Sequence, residues 1–255
     1  MKKILNRVTV TGADDSIQPE ELVAMSKRFP WVEWGILFSD SKQSNFTDHV
    51  NIPSPPAWPR YPTLVWLQKL IDLNPKINLS AHLCGKYVRE ACKGNWFWME
   101  KNPGIEQLFG RIQLNFAHMR HEDFKGLRTA LSDFRVISAM KAEPGKQVIF
   151  GCRDASNIIK QEFRHPVEFD VAPLFDASGG KGLLGSWPEH PGFYCGYAGG
   201  LSPENLGEQL EVLSNVVGDN IVWIDVESKV RSMDDLVFDM NKVEEFLKVA
   251  EPWVE

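Results

Sequence analysis

The chain alternates short β-rich runs with stretches of helical periodicity, over and over along its length, and this rhythm constrains the fold more than any single motif. Eight candidate strands are read: Arg7 to Thr11, Glu33 to Phe38, Ile77 to His82, Arg111 to Phe116, Gln147 to Gly151, Pro173 to Asp176, Phe193 to Ala198 and Ile221 to Val226. Between them, Pro19 to Phe29 sets Leu22, Met25 and Phe29 on one helical face, and Thr63 to Leu73 groups Leu64, Leu67, Leu70 and Ile71. Pro203 to Val217, with Ser202 as the expected N-cap, and Asn241 to Ala250 supply two more helices. Strands separated by helices pair in parallel. Eight such units in 255 residues predict one α/β domain over 1–255, a closed eight-stranded parallel β/α (TIM) barrel.

Two connections interrupt the rhythm, at about 39–62 and 93–110. The first carries Ile52-Pro-Ser-Pro-Pro-Ala-Trp-Pro59, which excludes regular structure. It lies on the strand-to-helix side, where a loop of this kind is placed to cover a site. The second carries Trp96-Phe-Trp98 and reads either as an extra helix over the rim or as core packing.

A net charge of -6 without a cluster of Lys or Arg speaks against a nucleic-acid partner. No segment approaches the roughly 20 apolar residues that span a bilayer, so no membrane partner is expected. The start of the chain lacks the apolar core of a signal peptide. The four cysteines, at 84, 92, 152 and 195, show no CxxC spacing, and reduced thiols in a cytoplasmic protein are the expectation. His118 and His121 stand three apart without a clear carboxylate partner, so neither a metal nor any other cofactor is expected.

The chemistry concentrates in the C-terminal third. Pro173-Leu-Phe-Asp-Ala-Ser-Gly-Gly-Lys-Gly182, Tyr194-Cys-Gly-Tyr-Ala-Gly-Gly-Leu-Ser-Pro-Glu-Asn205 and Ile221-Val-Trp-Ile-Asp-Val-Glu-Ser-Lys-Val-Arg231 each run from an apolar strand into a small or polar loop. The polar residues thus fall on one rim, the binding face of such folds. Gly199 and Gly200 leave backbone N–H groups open to an anion, with a helix beginning beyond them. Alternatively they make only a tight turn.

In order and spacing these segments resemble phosphoribosylanthranilate isomerase. Leu174-Phe-Asp-Ala177 with Gly179-Gly-Lys-Gly182 is similar to that family's Leu-Leu-Asp-Ala and Gly-Gly-Thr-Gly. Ala198-Gly-Gly-Leu-Ser-Pro-Glu-Asn205 is similar to its Ala-Gly-Gly-Leu-x-Pro-x-Asn, and Asp225-Val-Glu-Ser228 to its Asp-Val-Ser-Ser. Gln113-Leu114 fits its Gln-Leu-His, with Asn115 in place of the histidine, and Pro59-Arg-Tyr61 fits its Ser-Pro-Arg-Tyr. The resemblance implies a phosphate site that includes Gly180, Gly199, Gly200 and Ser228, and Asp176 as general acid.

The departures bear on the base. The family's first-strand Cys-Gly is Thr11-Gly12 here, and a hydroxyl is far too weak a base for a sugar-carbon proton. Asp14 is a replacement or else a loop carboxylate. His82, with Cys84 in the turn after it, is a base or nucleophile pair, or else a histidine satisfied by loop backbone beside a small buried cysteine. Lys229 replaces a glycine and can supply a point charge to the phosphate, while Arg231 stands where an acid is usual. Arg60 and Arg153 are ligand-pairing or solvated arginines, and Gln113 is a further binding candidate. Asp225 faces the interior or the helices, according to register.

The expectation is an isomerase-like enzyme acting on a small phosphorylated sugar or amino-sugar with a changed base. A divergent enzyme on the same scaffold and a non-catalytic ligand-binding protein descended from it are the rivals. A homodimer is the assembly considered.

Overall fold

The computed structural model describes residues 2–42, 59–73, 75–91, 93, 95–96, 98, 105–115, 147–152, 171–176, 178 and 182–255. Eight strands close into a parallel barrel in sequence order: β1 (Leu5–Thr11), β2 (Val32–Ser39), β3 (Asn78–Cys84), β4 (Arg111–Leu114), β5 (Gln147–Cys152), β6 (Val171–Asp176), β7 (Gly196–Ala198) and β8 (Val222–Val226). Closure pairs β1 with β8, Thr9 opposite Asp225 and Val10 opposite Val226. The end of the chain braces the same seam, with Ile4 N donating to Trp253 O and Glu255 N to Leu5 O, both at 2.9 Å.

Among the described residues five helices pack outside: α1 (Pro19–Arg28), α2 (Leu64–Leu73), α3 (Lys86–Ala91), α4 (Leu206–Val217) and α5 (Met240–Ala250). In α1, Pro19 fills the first turn, where its missing N–H costs nothing, and Gln18 N donates to Glu21 Oε1 at 2.9 Å. Its expected face is buried at Leu22, Met25 and Phe29. Asp239 caps α5 by accepting from Asn241 N and Lys242 N. The expected cap of α4 is corrected: the helix starts at Leu206 behind Asn205, and residues 203–205 form a turn. Ser202 O accepts from the Asn205 and Leu206 amides, while Asn205 Oδ1 accepts from Ser202 N at 2.8 Å. The asparagine thus reaches back over that turn.

The strands obey a period of two, and their two faces differ in kind. Outward residues (Val8 and Val10, Trp34, Ile36 and Phe38, Leu79, Ala81 and Leu83, Ile224 and Val226) form one apolar layer with the helices. Trp98 and Phe109 belong to this layer, meeting Phe38 edge-on at 5.0 and 5.6 Å. At these residues, then, the second connection packs against the side of the barrel, and Ile105–Leu108 makes a short 3₁₀ turn.

The inward face divides. Arg7, Thr9, Thr11, Glu33, His82, Arg111, Gln113 and Asp225 bond to one another, and the Thr11–His82 and Arg111–Glu33 contacts join strands that are not neighbours, which only the interior allows. On the other side Ile149, Ala172, Leu174, Ala198 and Trp223 make a separate apolar cluster. Gly196 is small because Trp223 lies against it; a Cβ there would stand 2.2 Å from the indole. No helix among the described residues is long and apolar enough to cross a membrane.

Candidate functional site

The loops after β6, β7 and β8 meet at the rim where the strands end. Asp176 Oδ1 accepts from Ser178 N at 3.0 Å and Ser178 Oγ at 2.6 Å, which folds the first of these loops back on its own strand. Ser178 Oγ accepts from Gly182 N at 3.1 Å. Gly182 lies against Ser228, its missing Cβ 3.1 Å from that hydroxyl, and Gly199 lies against Asp176, its missing Cβ 3.1 Å from Oδ1. Gly200 has φ +69°, and a Cβ there would fall 2.2 Å from Leu184 N. The close backbone approach that Gly200 permits is therefore made by Leu183 and Leu184 of the chain itself. Asn205 Nδ2 secures the same loop by donating to Gly200 O at 2.9 Å. Lys229 is exposed in the short turn Ser228–Val230. Gly180 and Arg153 lie outside the described residues, as do residues 43–58 of the proline-rich connection and the His118–His121 pair.

Beside this cradle an ion-pair cluster joins the loops after β1, β2 and β8. Arg60, at φ +77°, directs Nε to both oxygens of Asp235 at 3.0 and 2.8 Å, and Nη1 to Glu227 and, at 3.3 Å, to Ser228 Oγ. Burial opposes the charge, but Asp235 and Glu227 hold the Arg60 guanidinium above its ordinary pKa. Arg231, wholly buried, donates to Asp14 Oδ2 at 2.7 Å, to Asp235 Oδ1 at 2.8 Å and to Gly12 O. Asp14 also accepts from Arg60 N at 2.7 Å, Ser16 N at 3.0 Å and Ser16 Oγ at 2.6 Å. With four donors on two oxygens, Asp14 is a joint between loops, which is its alternative reading from sequence.

Inside the barrel mouth, Thr11 Oγ1 donates to Asp225 Oδ1 at 2.8 Å and lies 3.5 Å from His82 Nδ1. Gln113 Nε2 approaches the same ring nitrogen at 3.2 Å and donates to Asn115 Oδ1 at 2.9 Å. Gly35 makes room for the group, since a Cβ there would fall 2.3 Å from Thr11 Oγ1 and 2.8 Å from the imidazole. Burial, helped by the positive Arg111, pulls the His82 pKa down to about 3, so the ring is neutral. Burial pushes the Asp225 carboxyl well above its ordinary value, with the negative Glu227 and Glu33 adding to the effect and Thr11 and Gln113 opposing it. His82 Nε2 is buried without a partner among the described residues.

Two expectations about His82 and Cys84 are corrected here. β3 runs on to Cys84, so His82 is a strand residue aimed inward and is not satisfied by loop backbone. Cys84 ends the strand and does not lie in the turn. Its thiol, approached by Asn115 Nδ2 at 3.5 Å, is pushed up by burial and stays protonated, a poor nucleophile. The structure thus brings Thr11, His82 and Gln113 together with Asp225, and Asp176 together with Gly199. Asp14 and Arg60 belong to the ion-pair cluster. Sequence reading missed the charged interior residues Arg7, Glu33 and Arg111. Their signal was a charge inside an otherwise β-rich run, at Glu33 beside Trp34 and at Arg111 beside Ile112.

Among the described residues no group of three or more His, Cys, Asp or Glu side chains is placed to hold a metal ion. No family model matches the chain, and no curated protein matches it.

Proposed function

We propose that the protein binds a small phosphorylated sugar or amino-sugar at the rim made by the loops after β6, β7 and β8, and performs isomerase-like acid–base chemistry there, in the cytoplasm. The observation that carries this reading is the convergence of those three loops around one carboxylate. Asp176 adjoins Gly199, and Gly182 adjoins Ser228, so groups suited to an oxyanion stand beside a group suited to proton transfer. Gly180, Gly200 and the point charge of Lys229 complete the proposed phosphate site. In this reading Leu183 and Leu184 shift to let the phosphate reach the Gly200 backbone. The first-strand hydroxyl serves as a hydrogen-bond donor to Asp225, which leaves the neutral His82 imidazole, a base weakened by burial, as the remaining candidate partner.

One observation favours a second reading, ligand binding without turnover. Thr11 is committed to Asp225, Asp14 accepts four donors, and His82 is fully enclosed. A chain that kept the cradle and lost the base would look like this.

Phosphoribosylanthranilate offered to wild type and Asp176→Asn, followed by anthranilate fluorescence, separates the two. Turnover in wild type that disappears in Asp176→Asn supports the enzyme. Saturable binding without turnover in either protein supports the binding protein. If neither this compound nor inorganic phosphate binds, both readings fail.

A further inference from the structure

The opposite end of the barrel, where the strands begin, holds a second polar centre that the rim chemistry does not use. Glu33, fully buried on β2, accepts from Arg7 Nη1 at 2.6 Å, Arg111 Nη1 at 2.9 Å and Thr9 Oγ1 at 2.9 Å. Two guanidinium groups therefore share one carboxylate, and the centre carries one uncompensated positive charge. Arg111 is almost wholly buried and lays its guanidinium over the Trp223 ring, 4.2 Å from the centroid. Its Nε and Nη2 have no hydrogen-bond partner among the described residues. Those two nitrogens lie on one edge of the guanidinium, the fork that matches the two oxygens of a carboxylate. Leaving charged donors buried and unpaired is costly, so a complete edge in this state indicates a missing acceptor.

An open cleft of about 380 Å³ adjoins this centre, lined by Arg7, Arg111, Asn6, Asn78, Gln147 and Tyr194 among others. This volume is at the small end of ligand sites. Tyr194 adds an aromatic wall, its ring 4.9 Å from Trp223 and its hydroxyl donating to Asn6 Oδ1 at 2.9 Å. The lining thus offers an aromatic surface, amide groups and an excess cation. It suits a compact organic carboxylate better than a phosphate, because one negative charge matches the one excess positive charge and an apolar body can lie against the aromatic wall.

We propose that this cleft is a second ligand site, distinct from the rim, which takes a small organic carboxylate whose two oxygens engage Arg111 Nε and Nη2. Arg7, with 29% of its side chain exposed, moves aside to admit the ligand while Glu33 retains Arg111 Nη1. The proposal is independent of the phosphate reading.

The test uses the full chain, sodium benzoate and inorganic phosphate, with side-chain N–H resonances of ¹⁵N-labelled protein and melting temperature as readouts. Benzoate is expected to shift the Arg111 Nε–H resonance saturably and to raise the melting temperature. Arg111→Lys keeps the charge but loses the fork, and should weaken benzoate at least about tenfold. Ser228→Ala, at the other end of the barrel, should leave the benzoate response intact. The proposal is overturned by a resonance that does not saturate, by a response retained in Arg111→Lys, or by one lost in Ser228→Ala. Phosphate acting as well as benzoate on Arg111 also overturns the carboxylate assignment. If Arg111→Lys does not fold, the wild-type resonance titration decides alone.

Discussion

Thr11 and Asp225 meet inside the barrel, the threonine hydroxyl donating to the carboxylate at 2.8 Å across the seam where the first strand joins the last. The first-strand hydroxyl is thus part of a structural hydrogen bond. Thr11→Cys is expected to yield no gain in turnover, because burial beside a carboxylate keeps the new thiol protonated. Thr11→Val should cost about 1–3 kcal/mol, since it strands the Asp225 oxygen. Urea unfolding of both variants at neutral pH, with fluorescence assays of turnover, checks the pair of outcomes.

The same seam sets a pH dependence with two opposing parts. Asp225 titrates above its ordinary 3.8 when folded, so its contribution to stability is complete below that value and is lost as pH rises toward the folded pKa. His82 titrates at about 3 when folded, below its ordinary 6.5, so its contribution is present above 6.5 and is lost as pH falls toward 3. Between about 4 and 6.5 the two slopes oppose each other. Asp225→Asn should expose the histidine slope, with stability rising with pH relative to wild type across this window. His82→Asn should expose the reverse. Chemical denaturation at half-unit pH steps reads both, and profiles parallel to wild type in the two variants would contradict the assignment.

Gly200→Ala should destabilise by more than Gly218→Ala. Both glycines have positive φ, +69° and +59°, but a Cβ at Gly218 meets nothing within 4 Å whereas one at Gly200 meets Leu184 N at 2.2 Å. The backbone cost, about 1–3 kcal/mol, is common to both. The excess at Gly200 measures the docking of the loop after β6. Melting temperatures of the two variants give the comparison, and equal losses would mean that the loop is not held there.

Arg231→Met should cost about 3–5 kcal/mol, because it leaves Asp14 buried without its cation. Arg60→Met should cost only about 1 kcal/mol or less, as its partners Glu227 and Asp235 are 35% and 42% exposed and screened by water. Equilibrium unfolding ranks the two, and a reversed order would relocate the joint between loops from Asp14 to Arg60.

The barrel was legible because outward residues such as Val8, Trp34 and Ile224 keep their apolar character at every second position. Its interior was not. Thr9, Glu33, His82 and Arg111 alternate with these residues as solvent-facing positions do, and one strand's pattern does not distinguish water from the polar side chains of other strands. Asp225 shows the difficulty most simply: its inward direction follows only from the register with Thr9, a partner over 200 positions away. The rim motifs could be read because short loops keep Asp176 near Ser178 in sequence. The Asp14, Arg60, Arg231 and Asp235 cluster draws on three distant loops, and nothing local marks it. A serine before a proline is a common helix opening, which favours Ser202 as the cap in sequence, whereas the asparagine three residues on bonds to Ser202 N and Gly200 O at once.

The last strand serves both halves of the interior, with Trp223 in the apolar cluster and Asp225 bonded to Thr11. Its pairing with β1 therefore excludes water from the charged and the apolar sides together, and one strand seals two unlike interiors.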